Sequence, residues 1–597
     1  MAQLSRRNFL AGSMVAAAGG ASLVLGGCST AKPSTAKSGQ VAGSGSATGK
    51  GGELVVETVL ENGTLLHINV QKSQESFGVG TEAMDILNQL IVDGQTLNVD
   101  TVSGATISSM AFISAVSAAL DNAGESSSKW KKRDKAAPEL PSDIPTDVDV
   151  VVGSGGGGYA TALTAARKGS KVVMIEKLGI TGGDTILSGG AIAAPNNYFQ
   201  RRDGISDSAE KLAHDMLVGG DNIGDPDLVK VIAEGAYDAM EWLTFEADVA
   251  WQPYQQFFGG HSVARSLVPY GQEGSEIIVK LGKRCKDIAN LTILRNMKAE
   301  SLITTGNAVT GVKATHTLTG DTYTFNAKHV VLATGGFGSN VDMRVKYNPK
   351  MDSSILSTDS VGATGDGITM AEAVGANLID MQYIQTYPTC DIETGGLLYT
   401  GNMRLNQNAI CVNKEGKRYV EELERRDVIS EATTKQTDGV GYMVFTQEQV
   451  DNTGVFKANK SEVENLLARG KMIKADTLSD ACEPFGINSS ELEKTISSWN
   501  EYCKAGEDPD FKYRGKLNPI NNGPYYIIVF KPSVHYTMGG LHINPQAQVL
   551  DASGNPIPGL MAVGEVAGHK MGNNRLGSCS IADVFVFGRL AGESVSQ

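Results

Sequence analysis

The chain has 597 residues, of which 41% are hydrophobic and 20% charged, with 70 glycines and a formal net charge of −14. This length exceeds what one hydrophobic core supports, so we expect several domains, and the composition is typical of a loop-rich α/β protein. The negative charge argues against a general nucleic-acid-binding protein, and the seven scattered cysteines lack the CxxC spacing of c-type haem, iron–sulfur and zinc-ribbon sites.

The N-terminus has the pattern of an export signal. Ser5–Leu10 reads SRRNFL, and a run of small apolar residues follows it. The run is about as long as a membrane-spanning helix, but its many glycines and alanines favour the hydrophobic part of a signal peptide. LGGC at Leu25–Cys28 resembles a bacterial lipobox with Cys28 as the lipidated residue, and a chance cysteine is the alternative. We expect a twin-arginine lipoprotein signal over residues 1–28 and a flexible linker over 29–52.

A small α+β domain is predicted next, over residues 53–124. Two β-branched runs joined by ENG predict a β-hairpin, and two helical patterns follow. The second helix is predicted to bury one apolar face. That face comprises Ile107, Met110, Ile113, Val116 and Leu120.

The string DTVSGATISS, at residues 100–109, lies at the entry to this second helix. Ser103 or Thr106 could be a helix N-cap there. The whole string, however, matches the DxxSGAT signature of FMN-binding domains, and that resemblance implies FMN joined through its phosphate to Thr106. Small residues and a helix N-terminus suit a phosphate. A charged, proline-containing stretch over residues 125–146 is expected to be an interdomain linker.

A dinucleotide-binding βαβ unit is predicted from Val148. A hydrophobic strand runs into Gly153-x-Gly155-x-x-Gly158, and a helix and a second strand ending at Glu176 follow. The glycines permit close approach of a pyrophosphate, and Glu176 would bind the adenosine ribose hydroxyls.

Three later strings favour FAD over NAD at this site. They are GITGGDTILSGGAIAA, HVVLATGGF and IPGLMAVGEVAG, and the last places Glu565 near the ribityl chain or pyrophosphate. The FAD-binding domain is therefore expected in two parts, 147–381 and 537–597, around an inserted capping domain over 382–536.

From Val148 onward the chain resembles the fumarate reductase/succinate dehydrogenase flavoprotein superfamily, and the fused FMN-binding domain is similar to its urocanate-reductase-like branch. The resemblance implies an α/β fold: a Rossmann-like FAD-binding domain with an inserted α+β capping domain, preceded by a small α+β FMN-binding domain. It implies non-covalent FAD, and no metal ligands are expected. The further FAD-binding residues that it implies are Asp184, Thr185, Gly189, Gly190, Asp366, Tyr536, Ser580 and Ile581.

Three strings match the catalytic segments of the superfamily, although each residue alone could be structural. ERRDVISEA implies that Arg426 is the proton donor, SVHYTMGG supplies His535 and GNNRLGSCSIAD supplies Arg575. Reduction of a C=C bond beside a carboxylate needs a hydride on one carbon and a proton on the other. The resemblance implies that Arg575 and His535 grip the carboxylate and polarise the alkene.

Two departures from the superfamily pattern affect the substrate and the proton route. YPT places Tyr387 where fumarate reductases have a histidine, and a neutral tyrosine suits a substrate with an imidazole or aromatic end better than a second carboxylate. Thr400 is expected to contribute a hydroxyl to the substrate pocket. The relay glutamate of the family is Gly401 here while Arg404 remains, so other groups must complete the relay.

We expect an exported reductase of an α,β-unsaturated carboxylate that serves anaerobic respiration on the outer face of the cell membrane. Urocanate is the first expected substrate, followed by cinnamate-like acids and fumarate. Electrons would come from a membrane-associated quinol-linked cytochrome or flavoprotein and pass through FMN to FAD. The alternatives are an oxidoreductase of ketosteroid-like enones and a non-catalytic electron carrier.

Overall fold

The computed structural model describes residues 37–271, 273–405 and 409–596, so the predicted signal with Cys28 lies outside the described residues. The first domain is a three-stranded antiparallel sheet packed against helices. The hairpin turns at Asn62–Gly63, as the ENG string predicted. The elements are β1 Val41–Gly49, β2 Gly52–Glu61, β3 Thr64–Lys72, α1 Gly80–Gly94, α2 Thr106–Asn122 and α3 Ser127–Trp130.

Strand β1 corrects the predicted start of this domain. It lies within the predicted flexible linker 29–52, yet it pairs with β2 along its whole length. A Cβ at Gly43 would lie 2.1 Å from the carbonyl oxygen of Ala119, and one at Gly45 would lie 2.2 Å from that of Ala115. The small residues that are typical of a linker are therefore needed here, because they let α2 lie directly on the strand.

The same contact corrects the predicted apolar face of α2. Ile107 and Met110 are 58% and 59% exposed, although Val116 and Leu120 are buried as predicted. The helix turns its alanines toward β1, because only small side chains fit against the glycines of that strand. The alanines on this face are Ala111, Ala115 and Ala119.

The predicted linker 125–146 is also structured where it leaves the first domain. It contains α3, and the Trp130 side chain at the end of that helix is fully buried. The Trp130 carbonyl accepts hydrogen bonds from the Leu97 amide and the Thr96 hydroxyl, each at 3.2 Å. Burial of this large apolar ring fixes residues 127–130 to the domain, because losing its contacts would cost about 3 kcal/mol or more.

The FAD-binding domain is built on a six-stranded sheet of order β21-β22-β13-β4-β5-β9, in which all strands but β21 are parallel. Its first part contains these strands: β4 Asp149–Val152, β5 Val172–Ile175, β6 Ile192–Ala193, β7 Trp251–Gln256, β8 Ser266–Pro269, β9 Leu291–Leu294, β10 Met297–Thr305, β11 Ala308–His316, β12 Thr322–Asn326, β13 Val330–Leu332 and β14 Leu378–Ile379. The helices of this part are α4 Gly156–Arg167, α5 Gly183–Leu187, α6 Tyr198–Asp203, α7 Ala209–Gly219, α8 Pro226–Glu246, α9 Gly274–Lys286, α10 Val341–Tyr347 and α11 Asp366–Glu372.

The inserted domain has an antiparallel sheet of order β15-β19-β17-β16, with β18 also paired to β19. Its strands are β15 Ile384–Cys390, β16 Ile410–Val412, β17 Gly441–Thr446, β18 Met472–Ala475 and β19 Tyr525–Thr537. Its helices are α12 Asn402–Leu405, α13 Arg426–Thr434, α14 Gln447–Thr453, α15 Val455–Ala458, α16 Lys460–Ala468, α17 Leu478–Cys482 and α18 Ser489–Ala505. The long strand β19 leads back to the FAD-binding domain.

The last segment completes the FAD-binding domain with β20 Gly540–Leu541, β21 Gln548–Leu550, β22 Pro556–Ala562 and α19 Cys579–Val595. Strand β13 lies between β4 and β22, so the two parts of the chain share one sheet. Helix α19 packs on α4, where the Thr161 hydroxyl donates to the carbonyl of Gly588 at 3.0 Å. The predicted α/β fold class is confirmed. Within the described residues, no helix is both long and apolar enough to span a membrane.

Candidate active site

A cavity of about 620 Å³ lies between the FAD-binding domain and the capping domain. Its walls contain the glycine-rich turn after β4, the loop after β5, the end of β19 and the first residue of α13. Of the predicted site residues in the described FAD-binding and capping domains, all but Gly158 and Thr400 line this cavity. One enclosed space therefore brings the dinucleotide motif and the predicted catalytic residues together.

The three glycines of the motif have different structural tasks. Gly153 has φ of +100° and a Cβ there would lie 2.3 Å from the carbonyl oxygen of Ala333. At Gly158 a Cβ would lie 2.1 Å from the carbonyl oxygen of Gly153, so that residue permits close packing of α4 on the strand. Around Gly155 the nearest atoms are 3.8 Å or more away, so it borders open space. A pyrophosphate fits beside Gly155 at the start of α4.

Glu176, at the end of β5, is held at the position that the motif predicts for a ribose-binding acid. Its carboxylate accepts hydrogen bonds from the Ser154 hydroxyl at 2.5 Å and from the Leu178 amide at 2.9 Å. Burial raises the pKa of this carboxyl, and those hydrogen bonds oppose the shift. The geometry fits two vicinal ribose hydroxyls donating to one carboxylate.

Three acids lie close together near the opposite wall: Asp184, Asp359 and Glu565. Burial raises the pKa of all three carboxyls, and repulsion from a neighbouring acid adds to the shift: Glu176 acts on Asp184, and Asp184 acts on both Asp359 and Glu565. Asp184 accepts from the Ser360 amide at 2.5 Å, and Glu565 accepts from the Thr537 amide and hydroxyl at 2.8 Å. One buried oxygen of Asp359 has no hydrogen-bond partner in the described structure. Asp359 was not predicted, because no sequence motif marks it.

Two neighbouring arginines at the start of α13 have opposite environments. Arg425 forms ion pairs with Asp221 at 2.5 Å and with Asp427 at 2.7 Å. Arg426 instead faces the cavity, and its buried Nη1 has no hydrogen-bond partner within the described chain. Burial, with repulsion from Arg575, lowers the pKa of Arg426 to about 9. Asp427 therefore pairs with Arg425, and Nη1 of Arg426 can donate to an anionic ligand in the cavity.

Arg575 is the second buried cation of the cavity. Its Nη1 donates to the Ser580 hydroxyl at 3.2 Å, and its Nε has no hydrogen-bond partner among the described residues. Its guanidinium carbon lies 4.9 Å from the ring centre of Tyr536. Burial lowers the pKa of Arg575. A carboxylate arriving here would accept from Nε of Arg575, an N–H donor that no described residue satisfies.

His535 and Tyr387 form an aromatic wall beside these cations. Their ring centres are 5.1 Å apart, and the Arg426 guanidinium lies 4.8 Å from the Tyr387 ring. Nδ1 of His535 and the Thr358 hydroxyl form a hydrogen bond of 2.8 Å. Burial and the two arginines hold the pKa of His535 well below its usual range, so the imidazole is neutral at pH 7.

Thr400 departs from its predicted place in the substrate pocket. Its hydroxyl donates to Glu462 at 2.6 Å, and the same carboxylate accepts from the Thr400 and Tyr399 amides. The neighbouring Tyr399 lines the cavity instead, and its hydroxyl donates to the Leu187 carbonyl at 3.1 Å. Hydrogen bonds to Glu462 on α16 hold the Thr400 hydroxyl away from the cavity, and the sequence near Thr400 could not reveal this distant partner.

Thr389 lies beside Gly401, the position at which the sequence lacks the relay glutamate of the family. A Cβ at Gly401 would lie 2.6 Å from the Thr389 hydroxyl oxygen, which is buried and has no hydrogen-bond partner in the described structure. Arg404 donates from Nη1 to the carbonyl of Glu422, and its buried Nε is also unpartnered among the described residues. Arg404 is therefore buried with one free N–H group among the described residues, and position 401 carries no acid.

Thr106 begins α2 at an exposed position, and it is not the N-cap. Ala105 occupies the N-cap without a side-chain bond, so the capping interpretation of Thr106 and Ser103 is wrong. Ser103 accepts instead from the Gly179 amide, at 2.7 Å to its hydroxyl oxygen. The predicted FMN loop thus contacts the loop that follows Glu176, and Arg295 pairs with Glu82 across the same interface at 2.8 Å.

Comparisons with known proteins agree with this arrangement. The FAD binding domain family matches residues 147–581, and the FMN-binding domain family matches residues 49–121. A urocanate reductase of Eggerthella lenta is 63% identical over 604 residues, with 100% of both chains covered. A fumarate reductase (cytochrome) of Shewanella frigidimarina is 36% identical over 79% of this chain and 82% of its own.

A solved structure gives the same result. The open conformation of a flavocytochrome c3 fumarate reductase matches with a TM-score of 0.65 and 31% identity, and the match covers 78% of this chain and 83% of that chain. The resemblance stated from the sequence is confirmed, and both flavin-binding domains are present. The chain therefore belongs to the FAD-binding domain family of flavoproteins, among relatives that include urocanate and fumarate reductases.

Proposed function

We propose that the protein reduces the C=C bond of a small α,β-unsaturated carboxylate, with urocanate as the first candidate substrate. The observation that carries this proposal is that Nη1 of Arg426 and Nε of Arg575 are buried in the cavity without a hydrogen-bond partner among the described residues. Two buried guanidiniums without carboxylate partners repel each other, and an anionic ligand relieves that repulsion. The urocanate reductase that is 63% identical supports the choice of substrate.

In this mechanism the carboxylate of the substrate binds to Arg575 and His535. Arg575 offers free N–H donors, and the neutral His535 is oriented by its bond to Thr358. Together they stabilise the negative charge that develops toward the carboxylate during reduction. When bound, reduced FAD supplies the hydride for the β-carbon.

Arg426 then provides the proton for the α-carbon. Its pKa of about 9 keeps the guanidinium protonated at pH 7 while making it a better acid than an ordinary arginine. The cavity holds the donor on the same side as Tyr387, at a guanidinium-to-ring distance of 4.8 Å. Reprotonation of Arg426 would involve Arg404 and the Thr389 hydroxyl, whose free atoms are buried nearby in the capping domain.

Tyr387 supports a substrate with a flat ring at its far end. The Tyr387 ring is packed between Arg426 and His535, and it carries no positive charge. A second carboxylate at this place would meet a neutral phenol, whereas an imidazole ring can stack and accept a hydrogen bond. Urocanate and cinnamate-like acids fit this wall better than fumarate.

We also propose that FMN is attached to Thr106 by a phosphoester and that electrons pass through it to FAD. The DxxSGAT string, the exposed Thr106 hydroxyl and the contact between Ser103 and Gly179 support this route. The SRRNFL and LGGC strings support export by the twin-arginine pathway and a lipid anchor at Cys28. A quinol-linked cytochrome or flavoprotein of the membrane would then be the electron donor in anaerobic respiration.

The test is anaerobic reoxidation of the dithionite-reduced, flavin-loaded protein by urocanate, cinnamate and fumarate, followed by flavin absorbance. We expect urocanate to reoxidise the flavin fastest and fumarate slowest. Equal or faster oxidation by fumarate would contradict the role given to Tyr387. No oxidation by any of the three acids would contradict the carboxylate clamp, and an enone substrate or an electron-carrier role would then be favoured.

A further inference from the structure

Three exposed apolar side chains flank the Thr106 end of the first domain. Phe77, Ile107 and Met110 are 51%, 58% and 59% exposed. Ile107 and Met110 lie on the first turn of α2 and just beyond it, on the side that does not contact β1. Phe77 lies in the turn between β3 and α1, and a hydrogen bond from Ser108 to Glu75 joins this turn to α2. Exposed apolar side chains at one end of a domain offer a surface on which an apolar ligand can pack.

This apolar patch, defined by Phe77, Ile107 and Met110, borders the FAD-binding domain. A Cβ at Gly78, next to Phe77, would lie 2.9 Å from Cγ2 of Val279 and 3.3 Å from Cδ1 of Ile186. A Cβ at Gly104 would lie 2.8 Å from Cγ1 of Ile180. Ile180 and Ile186 belong to the segment whose residues Asp184 and Thr185 line the FAD cavity. The patch is therefore next to the interface that a transferred electron would cross.

We propose that the apolar patch holds the isoalloxazine ring of the FMN on Thr106. The inference rests on the FMN attachment proposed above and adds the place of the ring. A ring tethered through its phosphate and ribityl chain is confined to the surface near Thr106, and the patch offers exposed apolar side chains on the same turn of α2 and in the adjoining turn before α1. Phe77 would stack on the flavin, while Met110 would give a sulfur–aromatic contact. The packing of the alanines of α2 on β1 leaves Ile107 and Met110 exposed, and the flavin ring would cover them.

The experiment compares Phe77→Ala and Met110→Ala with a matched control, Leu66→Ala, in the flavin-loaded holoprotein. Leu66 is an exposed residue of the same domain, and its neighbour Leu65 bonds to Gln95 at the far end of α1. Intact mass first measures FMN attachment in each protein. Iodide quenching of FMN fluorescence then measures ring exposure, after subtraction of the signal of Thr106→Val, which retains FAD alone.

We expect full FMN attachment in every variant except Thr106→Val. Loss of one ring contact should raise the fraction of exposed ring roughly fivefold, which corresponds to about 1 kcal/mol, in Phe77→Ala and less in Met110→Ala. Leu66→Ala should match the wild type. Attached FMN with unchanged quenching in both patch variants would overturn the ring placement alone. Absence of FMN from the wild-type Thr106 peptide would overturn the attachment and the ring placement together.

Discussion

Replacement of Arg426 by glutamine tests the proposed chemistry most directly. Glutamine retains a polar side chain of similar reach but cannot donate a proton as an acid. Loss of a general acid lowers a rate by about 10²- to 10⁴-fold. We therefore expect the rate constant for flavin reoxidation by urocanate to fall by that factor in Arg426→Gln. FAD content should be unchanged, because Arg426 belongs to the capping domain.

The adjacent arginine supplies the matched control. Arg425 has the same charge and lies on the same turn, but it is paired with Asp221 and Asp427 outside the cavity. Partly exposed ion pairs of this kind contribute about 1 kcal/mol or less to stability. Arg425→Gln should therefore reduce the reoxidation rate less than about threefold, because a threefold change corresponds to less than about 1 kcal/mol. Similar losses in the two variants would indicate a structural role for both.

The pH dependence separates proton donation from charge alone. A donor must be protonated, so kcat/KM should be high below the pKa of Arg426 and fall as the pH rises through about 9. Arg426→Lys keeps a proton-donating cation whose ordinary pKa is lower, so the fall should move to lower pH while part of the activity remains. Stopped-flow reoxidation across pH 6 to 10 gives both results. If Arg426→Gln reoxidised at a rate within tenfold of the wild type, Arg426 would not be the proton donor.

Three further predictions concern the substrate, the cofactor and the first domain. Tyr387→His should shift the ratio of fumarate to urocanate rates toward fumarate by about tenfold or more, measured with the same reoxidation assay, and an unchanged ratio would contradict the specificity argument. Gly155→Val should abolish flavin absorbance from FAD because its side chain would enter the open space of the pyrophosphate site, whereas retained FAD would place that site elsewhere. Trp130→Ala should destabilise the first domain by about 3–5 kcal/mol in urea unfolding followed by circular dichroism, and a change below about 1 kcal/mol would show that residues 127–130 are dispensable.

The sequence predicted the elements whose pattern is local. The hairpin with its turn at Asn62–Gly63 and the βαβ unit follow from β-branched runs, turn residues and glycine spacing. Strand β1 was missed because its need for small residues comes from α2, which lies more than 50 residues later in the chain. The orientation of α2 was missed for the same reason, since the glycines of β1 accept alanines and exclude Ile107 and Met110.

In the candidate site too, local motifs identified residues that line the cavity, whereas contacts with distant parts of the chain could not be predicted. Motif strings pointed to Arg426, His535 and Arg575, and all three line one cavity. The strings could not tell that Thr400 is turned away by Glu462, because that acid lies on a helix of the capping domain 62 residues away. Nor could they show that Asp427, adjacent to Arg426 in sequence, neutralises Arg425.

The pairing of Arg425 gives the strongest physical argument for catalysis in this cavity. A folded protein normally provides partners for buried charges, and here Asp221 and Asp427 are close enough to pair with an arginine of this turn. Both acids pair with the outer Arg425, whereas Arg426 and Arg575 each have a buried N–H group without a partner among the described residues. Burial lowers the pKa of both inner arginines. Such an arrangement destabilises the empty site, and a bound carboxylate recovers the loss. A protein that only carried electrons between flavins would gain nothing from two unpaired guanidiniums in its interior.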